Sequence, residues 1–292
     1  MNLIASLQAR IKNKARQLEI PYASLLEQFA LSRFFARLSE SKYADEFVLK
    51  GAQLFRFWTS GGHRPTRDAD FLASKQRTPD ELESIFSQIF NSEPKEADAL
   101  KWGDIRAVTI RNDKSYGGVR ITATALLGNV RIPLQFDIGY GDAITPDIVE
   151  QRWRSVLDYS ETKLLTYPVE TVIAEKIEAA VSLEISNSRM KDFFDLLWLS
   201  QNQSFSYELL CEAITNTFNR RKTTILDKLP MAYSEEFAKD ENKQVQWKAF
   251  LRKSSLEIIS FEEAIEELQQ FIEPLFVKNS NYTTWSPNDH WS

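Results

Sequence analysis

At 292 residues, 43% of them hydrophobic and 26% charged, the chain has material for one large domain or two ordinary ones and lacks the composition of a disordered protein. Its formal net charge of −5 excludes a protein that coats nucleic acid indiscriminately, and its one cysteine, Cys211, excludes an internal disulfide framework and fits a reducing compartment. Two histidines, His63 and His290, are too few soft ligands for a typical zinc site, so metal chemistry would use oxygen ligands.

The opening "MNLIASLQARIKNKARQLEI" sets Lys and Arg among apolar residues at helical spacing, without the apolar core and cleavage site of a secretory signal. A cytoplasmic location is expected, and with no uncharged apolar run of about 18 residues no membrane span is proposed. After Pro21, Leu25, Leu26, Phe29, Phe34 and Leu38 repeat close to every 3.6 residues and predict an amphipathic helix over 22–39. A short strand over Phe47–Lys50, a helix from Gly51 to Trp58, the loop "TSGGHRPT" and a strand from about Arg67 to Ala73 follow. A helix begins near Pro79, and then come three β-rich runs, "IRAVTIR", "VRITATALL" and "VRIPLQFDI". The loop "NDKSYGG" separates the first two, and Gly128-Asn129 predicts a hairpin joining the last two.

From Val169 the pattern turns helical: "VETVIAEKIEAAVSLEI", "MKDFFDLLWLSQ", "SYELLCEAITNTFNRR" and "SFEEAIEELQQFIEPLF", the last opened by a capping-box spacing at Ser260 and Glu263. Residues 1–150 thus read as N-terminal helices with a mixed α/β core, 151–278 as a helical domain and 279–292 as a flexible tail. Between Ser255 and Ser292 seven acids face Lys278, a balance of −6 that leaves +1 for the rest, so a local basic face for RNA stays open.

The chemistry concentrates in "FVLKGAQLFRFWTSGGHRPTRDADFLA". Residues i and i+2 of a strand share a face at roughly 6.6 Å, so Asp68 and Asp70 can converge while Ala69 and Phe71 face the core. Asp137, in "PLQFDIGYGD", ends another apolar run and makes a third candidate. Three carboxylates on neighbouring strands suit Mg²⁺, which commonly shares its coordination with substrate phosphates. Pairing of Asp68 with Arg64 or Arg67 would account for an isolated Asp-x-Asp as an ordinary ion pair. The upstream Lys50-Gly51 adds a strand and a glycine turn into a helix, the arrangement of a phosphate cradle.

In order along the chain, "FVLKGAQL", "RPTRDADFL", "LQFDIGYGD", "YPVETVIAEKIEAA" and "NSRMKDFFDL" resemble the AbiEii/AbiGii-type nucleotidyltransferase toxins of bacterial abortive-infection and toxin–antitoxin systems, from about Tyr22 to Leu199. The resemblance implies an α+β fold, a polymerase-β-like nucleotidyltransferase core with a mixed sheet followed by a helical C-terminal domain. It implies that Asp68 and Asp70 are the metal-binding pair, with Asp137 matching the third position by strand context. Lys50, Gly51, Ala52, Arg67 and Lys176 would hold the nucleotide. Lys176 looks like the family's essential lysine and Asp192 or Asp195 like its late acidic motif. Ala52 stands where the family has Gly or Ser, which keeps the backbone N–H and loses any hydroxyl.

The late residues also read physically. Lys176 lies at the edge of an apolar helical face and can extend its ammonium as a point charge. Asp192 and Asp195 share a helical face at i, i+3 near Arg189 and Lys191, where an ion-paired helix start explains them at least as well as direct catalysis, and they are read as orienting residues for Lys176. Phe34, Phe35, Phe193, Phe194 and Trp198 read as core, Cys211 as a buried small side chain, His63 as a solvated loop residue, and Arg220 to Lys222 as a charged helix end.

The resemblance implies an enzyme that moves a nucleoside monophosphate from an NTP to a hydroxyl acceptor, the tRNA 3′ end above others, with Mg²⁺ or Mn²⁺. The outcome would be inhibited translation and growth in a toxin–antitoxin or phage-defence system with a cognate antitoxin. The alternatives are a nucleotide- or RNA-binding module of the same shape without catalysis, and transfer of the nucleotide to a protein.

Overall fold

The computed structural model describes residues 2–59, 63–64, 66–110, 117–256, 259–277, 281–287 and 290–292. Parts of the expected loops "TSGGHRPT" and "NDKSYGG" lie outside those residues. The chain divides into two compact units, Met1–Gly141 with Ile148–Tyr167, and Asp142–Asp147 with Pro168–Ser292.

In the first unit, α1 (Leu3–Gln17) and α2 (Tyr22–Glu40) precede β1 (Phe47–Lys50), a 3₁₀ turn over Gly51–Leu54 and α3 (Phe55–Trp58). Then come β2 (Ala69–Ala73), α4 (Pro79–Phe90), β3 (Leu100–Ile110), β4 (Gly118–Leu127), β5 (Val130–Tyr140), β6 (Val149–Trp153) and β7 (Thr162–Thr166). The seven strands form one mixed sheet in the order β3-β4-β5-β2-β1-β7-β6, in which β2 runs parallel to β5 and β1 to β7. Every apolar position that predicted α2 is buried, and Phe34 packs on Phe71 and Phe136 of the sheet and on Phe86 and Phe90 of α4. A fully buried aromatic or leucine of this kind contributes about 1.5–3 kcal/mol. Helix α4 starts where Thr78 and Glu81 close a capping box ahead of Pro79. The β4–β5 hairpin turns at Gly128, whose φ of +64° suits the first central position of a two-residue turn.

The second unit carries α5 (Val169–Leu183), α6 (Met190–Asn202), β8 (Phe205–Ser206), α7 (Tyr207–Arg221), α8 (Glu235–Lys239), α9 (Glu241–Ser254), α10 (Phe261–Phe276), β9 (Thr284–Ser286) and β10 (His290–Trp291). Its core gathers Phe193, Tyr233, Phe237, Trp247 and Phe261. Segment 142–147 joins it through Thr145, whose N–H donates to Thr171 Oγ1 at 2.8 Å.

Three expectations change. The boundary at 150/151 moves to 167/168, because β6 and β7 complete the sheet of the first unit and Leu49 pairs with Thr166. The second unit is not all-helical, since β8, β9 and β10 form a small antiparallel sheet. The flexible tail expected over 279–292 is instead strand where it is described: Trp285 Nε1 donates to Ser200 O and Trp291 Nε1 to Phe271 O, each at 2.8 Å, and Trp291 stacks on Phe271. Polar flanking residues mask those two tryptophans in the sequence.

Candidate functional site

The sheet register of the first unit builds the site. Lys50 of β1 is opposite Asp70 of β2, Asp70 is opposite Asp137 of β5, and Asp137 is opposite Arg120 of β4. In-register neighbours point to one face, so these four side chains form a row across four strands with charges + − − +. The next positions, Ala69, Phe71 and Phe136, point the other way and are buried against the helices, which fixes the row on the opposite face. Asp68 lies just before β2, exposed, two residues from Asp70. The structure thus brings Asp70 and Asp137 side by side and leaves Asp68 at the end of the strand.

Gly51 has a sharper role than the phosphate turn expected of it. Its φ is +73°, and a Cβ built on it would fall on the Asp70 carboxylate, 2.9 Å from Asp70 Cγ. Only glycine allows the carboxylate to lie against the backbone there. Ala52, one residue on, is half-buried in the 3₁₀ turn.

Supporting groups surround the row. Gln53, 2% exposed, donates from Nε2 to the Asp68 carbonyl at 3.2 Å and pins the backbone of the first aspartate. Arg120 grips Asp137 with both ends of its guanidinium, Nε to Oδ1 at 2.8 Å and Nη2 to Oδ2 at 2.7 Å. That hydrogen bond, with the charges of Asp137, Asp68 and Asp70, raises the Arg120 pKa further. Lys50 Nζ lies 5.1 Å from the Tyr167 ring centroid. Arg67, expected at the nucleotide, points its Nε to Glu27 of α2 at 3.4 Å. Burial raises the Glu27 pKa; Arg67 pulls it down and Asp68 pushes it up. His63, expected to be solvated, stacks on Phe55 with ring centroids 4.0 Å apart. Sequence reasoning missed Gln53, Glu27 and Arg120. Arg120 could have been found by carrying the register of the Gly128-Asn129 hairpin back along its two strands, whereas Gln53 and Glu27 carry no local signal of their roles.

The fit to a divalent cation can be judged on this donor set. Among the described residues no three or more His, Cys, Asp or Glu side chains form a group that could hold a metal. Asp137, expected as the third ligand, has both oxygens occupied by Arg120. Asp68 and Asp70 still fit Mg²⁺, which takes one or two carboxylates and completes its shell with phosphate oxygens and water.

The second unit holds an ionic cluster of its own. Lys176 of α5 donates from Nζ to Asp192 Oδ1 at 2.8 Å and Asp195 Oδ2 at 2.6 Å, both on α6, and Arg189 Nε bonds Asp192 Oδ2 at 2.5 Å. The structure brings the three predicted residues together with Lys176 8%, Asp192 4% and Asp195 0% exposed. Burial opposes the Lys176 charge, but Asp192 and Asp195 outweigh it and its pKa is raised; burial likewise opposes the Asp192 charge, and Lys176 and Arg189 leave its pKa lowered. The ammonium is thus the hub of a buried ion pair rather than a point charge at the edge of a face. Asn187 and Lys243 extend the cluster: Arg189 N donates to Asn187 Oδ1 and Lys243 Nζ to Asn187 O. Arg221 bonds Glu178 and Glu175, which ties the "NRRK" helix end to α5. Cys211, expected to be buried, is half-exposed, as are Phe194 and Trp198.

No curated protein matches the chain. Among solved structures, JHP933 from Helicobacter pylori is similar at 18% identity and a TM-score of 0.48, over 84% of this chain and 88% of that one. A second, described as a candidate nucleotidyltransferase from H. pylori, is similar at 18% identity and a TM-score of 0.47, over 83% and 90%. The nucleotidyl transferase AbiEii toxin family of Type IV toxin–antitoxin systems matches residues 33–267, a span that contains the carboxylate row, Gly51 and the Lys176 cluster, and the chain belongs to that family.

Proposed function

We propose that this family member transfers a nucleoside monophosphate from an NTP to a hydroxyl acceptor, releasing pyrophosphate, and that the acceptor is the 3′ end of tRNA. The observation that carries the reading is the row of Lys50, Asp70, Asp137 and Arg120, packed against a glycine that a side chain would block. Asp68 and Asp70 would hold Mg²⁺, or Mn²⁺ in its place. When bound, the ion supplies charge neutralisation for the triphosphate and the leaving pyrophosphate.

The chain's own residues do the positioning, which is the larger part of phosphoryl-type transfer. Gly51 keeps the floor beside Asp70 open, Gln53 fixes the backbone at Asp68, and Lys50 sets a positive charge at one end of the row. Asp137 would assist deprotonation of the acceptor hydroxyl once Arg120 releases one of its oxygens. Lys176 is retained as a charge held in place by Asp192 and Asp195. An RNA acceptor is supported by charge: the first unit carries 23 Lys and Arg against 19 Asp and Glu, the second 13 against 22. Within α1, Arg10, Lys12, Lys14 and Arg16 are exposed and the helix itself holds no acid, with Arg10 paired to Asp158 at 3.1 Å.

Growth arrest through lost translation, in the cytoplasm and under control of the antitoxin that a Type IV system implies, is the proposed outcome, with phage defence as its setting. Among the described residues no helix is long and apolar enough to cross a membrane. Incubation with each α-³²P-labelled NTP, Mg²⁺ and total tRNA, beside Asp68→Asn/Asp70→Asn, tests the reading. Label on tRNA that vanishes in the double variant is the expected result. Nucleotide binding without label on RNA or protein would overturn it, and label that survives RNase treatment would move the acceptor to protein.

A further inference from the structure

The bidentate pair between Arg120 and Asp137 sits inside the proposed site, not beside it. Asp137 is the carboxylate nearest Asp70 in register, and its two oxygens, both useful to a cation, are held by a guanidinium. The pair is partly open to solvent, with side chains 41% and 24% exposed, so a purely structural bridge here would add little to the sheet. Its placement offers another explanation. Asp70 and Asp137 on adjacent strands, about 4.8 Å apart, repel each other unless a positive charge is present. Arg120 supplies that charge from within the chain.

We infer that Arg120 is a tethered counter-ion which competes with a divalent cation for Asp137 and, once displaced, binds a phosphate oxygen of the nucleotide. This rests on the reading of Asp68 and Asp70 as a divalent-cation site. A cation arriving alone must break two charge-assisted hydrogen bonds and leave a guanidinium without an acceptor. A triphosphate arriving with it offers that planar guanidinium a pair of phosphate oxygens in exchange. Arg120 is on a half-exposed strand position with a flexible stem, and from β4 it can reach over the row. Cation and nucleotide therefore bind with positive coupling, and the site assembles its full carboxylate set only when an NTP is present. The coupling is reciprocal, since each ligand must tighten the other by the same factor.

The experiment measures binding, not turnover. Mn²⁺ affinity of the full chain is determined by electron paramagnetic resonance of free Mn²⁺, with and without each α,β-methylene NTP, for wild type, Arg120→Gln, Arg120→Lys, Asp137→Asn and Asp68→Asn/Asp70→Asn. Wild type is expected to bind Mn²⁺ weakly alone and about tenfold or more tightly with the analogue it accepts, within the usual range of coupled sites. Arg120→Gln should bind Mn²⁺ alone more tightly than wild type, bind the analogue more weakly, and show a coupling factor close to one. Arg120→Lys should fall between, and it carries the test should Arg120→Gln not fold. Asp137→Asn should weaken Mn²⁺ only when the analogue is present. Unchanged Mn²⁺ affinity and coupling in both Arg120 variants, with binding still abolished by Asp68→Asn/Asp70→Asn, would overturn this inference and leave the cation site standing. Mn²⁺ binding that ignores Asp68→Asn/Asp70→Asn, or no binding even with analogue, would instead remove the cation site itself, and the inference with it.

Discussion

A methyl group at position 51 would have to occupy the space of the Asp70 carboxylate, and the backbone there has a positive φ that alanine resists. Gly51→Ala is therefore expected to displace Asp70, cost about 1–2 kcal/mol of stability and lower Mn²⁺ affinity at least tenfold. Thermal unfolding and Mn²⁺ titration check both effects, and a variant with wild-type metal affinity would show that Asp70 is not held by this contact. Ala52→Ser, at the neighbouring half-buried position, should leave stability within about 0.5 kcal/mol. At this scale much was legible: the aspartates, the glycine and the lysine were found because their types and spacing are unusual in apolar runs. Gln53 was not, because its role depends on a carbonyl that a fold brings to it from Asp68, fifteen residues on.

Elements show where periodicity succeeds and where it fails. Helix α2 and the β4–β5 hairpin were readable because many apolar side chains or a glycine turn repeat the same message. Helix α9 was not: it is polar, and it buries one stripe, Lys243, Trp247 and Leu251. Strands β9 and β10 are equally short of signal, yet their two tryptophans are buried. Trp291→Ala should cost about 3 kcal/mol, read from a lower urea midpoint; a flexible tail would show no change.

The Lys176 cluster joins α5 to α6 and gives a pH signature. The raised Lys176 pKa stabilises the fold at all pH below the ordinary lysine value and loses that effect as pH climbs through the raised value. The lowered Asp192 pKa stabilises above the ordinary carboxylate range and loses that effect as pH falls through the lowered value. The pair is thus fully effective from about pH 5 to about pH 9. Lys176→Met removes the ammonium shared by two buried carboxylates, leaving Asp192 to Arg189, and should cost about 3–5 kcal/mol near neutrality. Because those carboxylates can then take up protons in the folded state, the deficit should shrink toward pH 4. Urea unfolding across that range decides it, and a deficit independent of pH would remove the ionic explanation.

On the scale of the whole molecule, net charge misleads. The overall −5 hides a first unit with an excess of cations and a second with an excess of acids. If the exposed basic face of α1 follows an RNA backbone, Lys12→Glu/Lys14→Glu/Arg16→Glu should weaken tRNA binding and flatten the plot of log K against log salt by about 0.7–0.9 per lost phosphate contact. Fluorescence anisotropy over a salt series measures it; an unchanged slope would place the RNA elsewhere. Anionic vesicles are not the expected partner, since the apolar face of this helix, Leu7, Ile11 and Ala15, is already buried.

By itself the sequence determined the elements with strong periodicity, the α+β character and the residue types of the site, because these are local properties of spacing and chemistry. The tertiary structure alone decided that Gly51 faces the carboxylate of Asp70, that Gln53 reaches the carbonyl of Asp68, and that β6 and β7 belong to the first sheet. Each is a pairing between segments far apart in the chain, and strand register, which sets such pairings, is fixed by the packing of the whole sheet rather than by any one stretch of it.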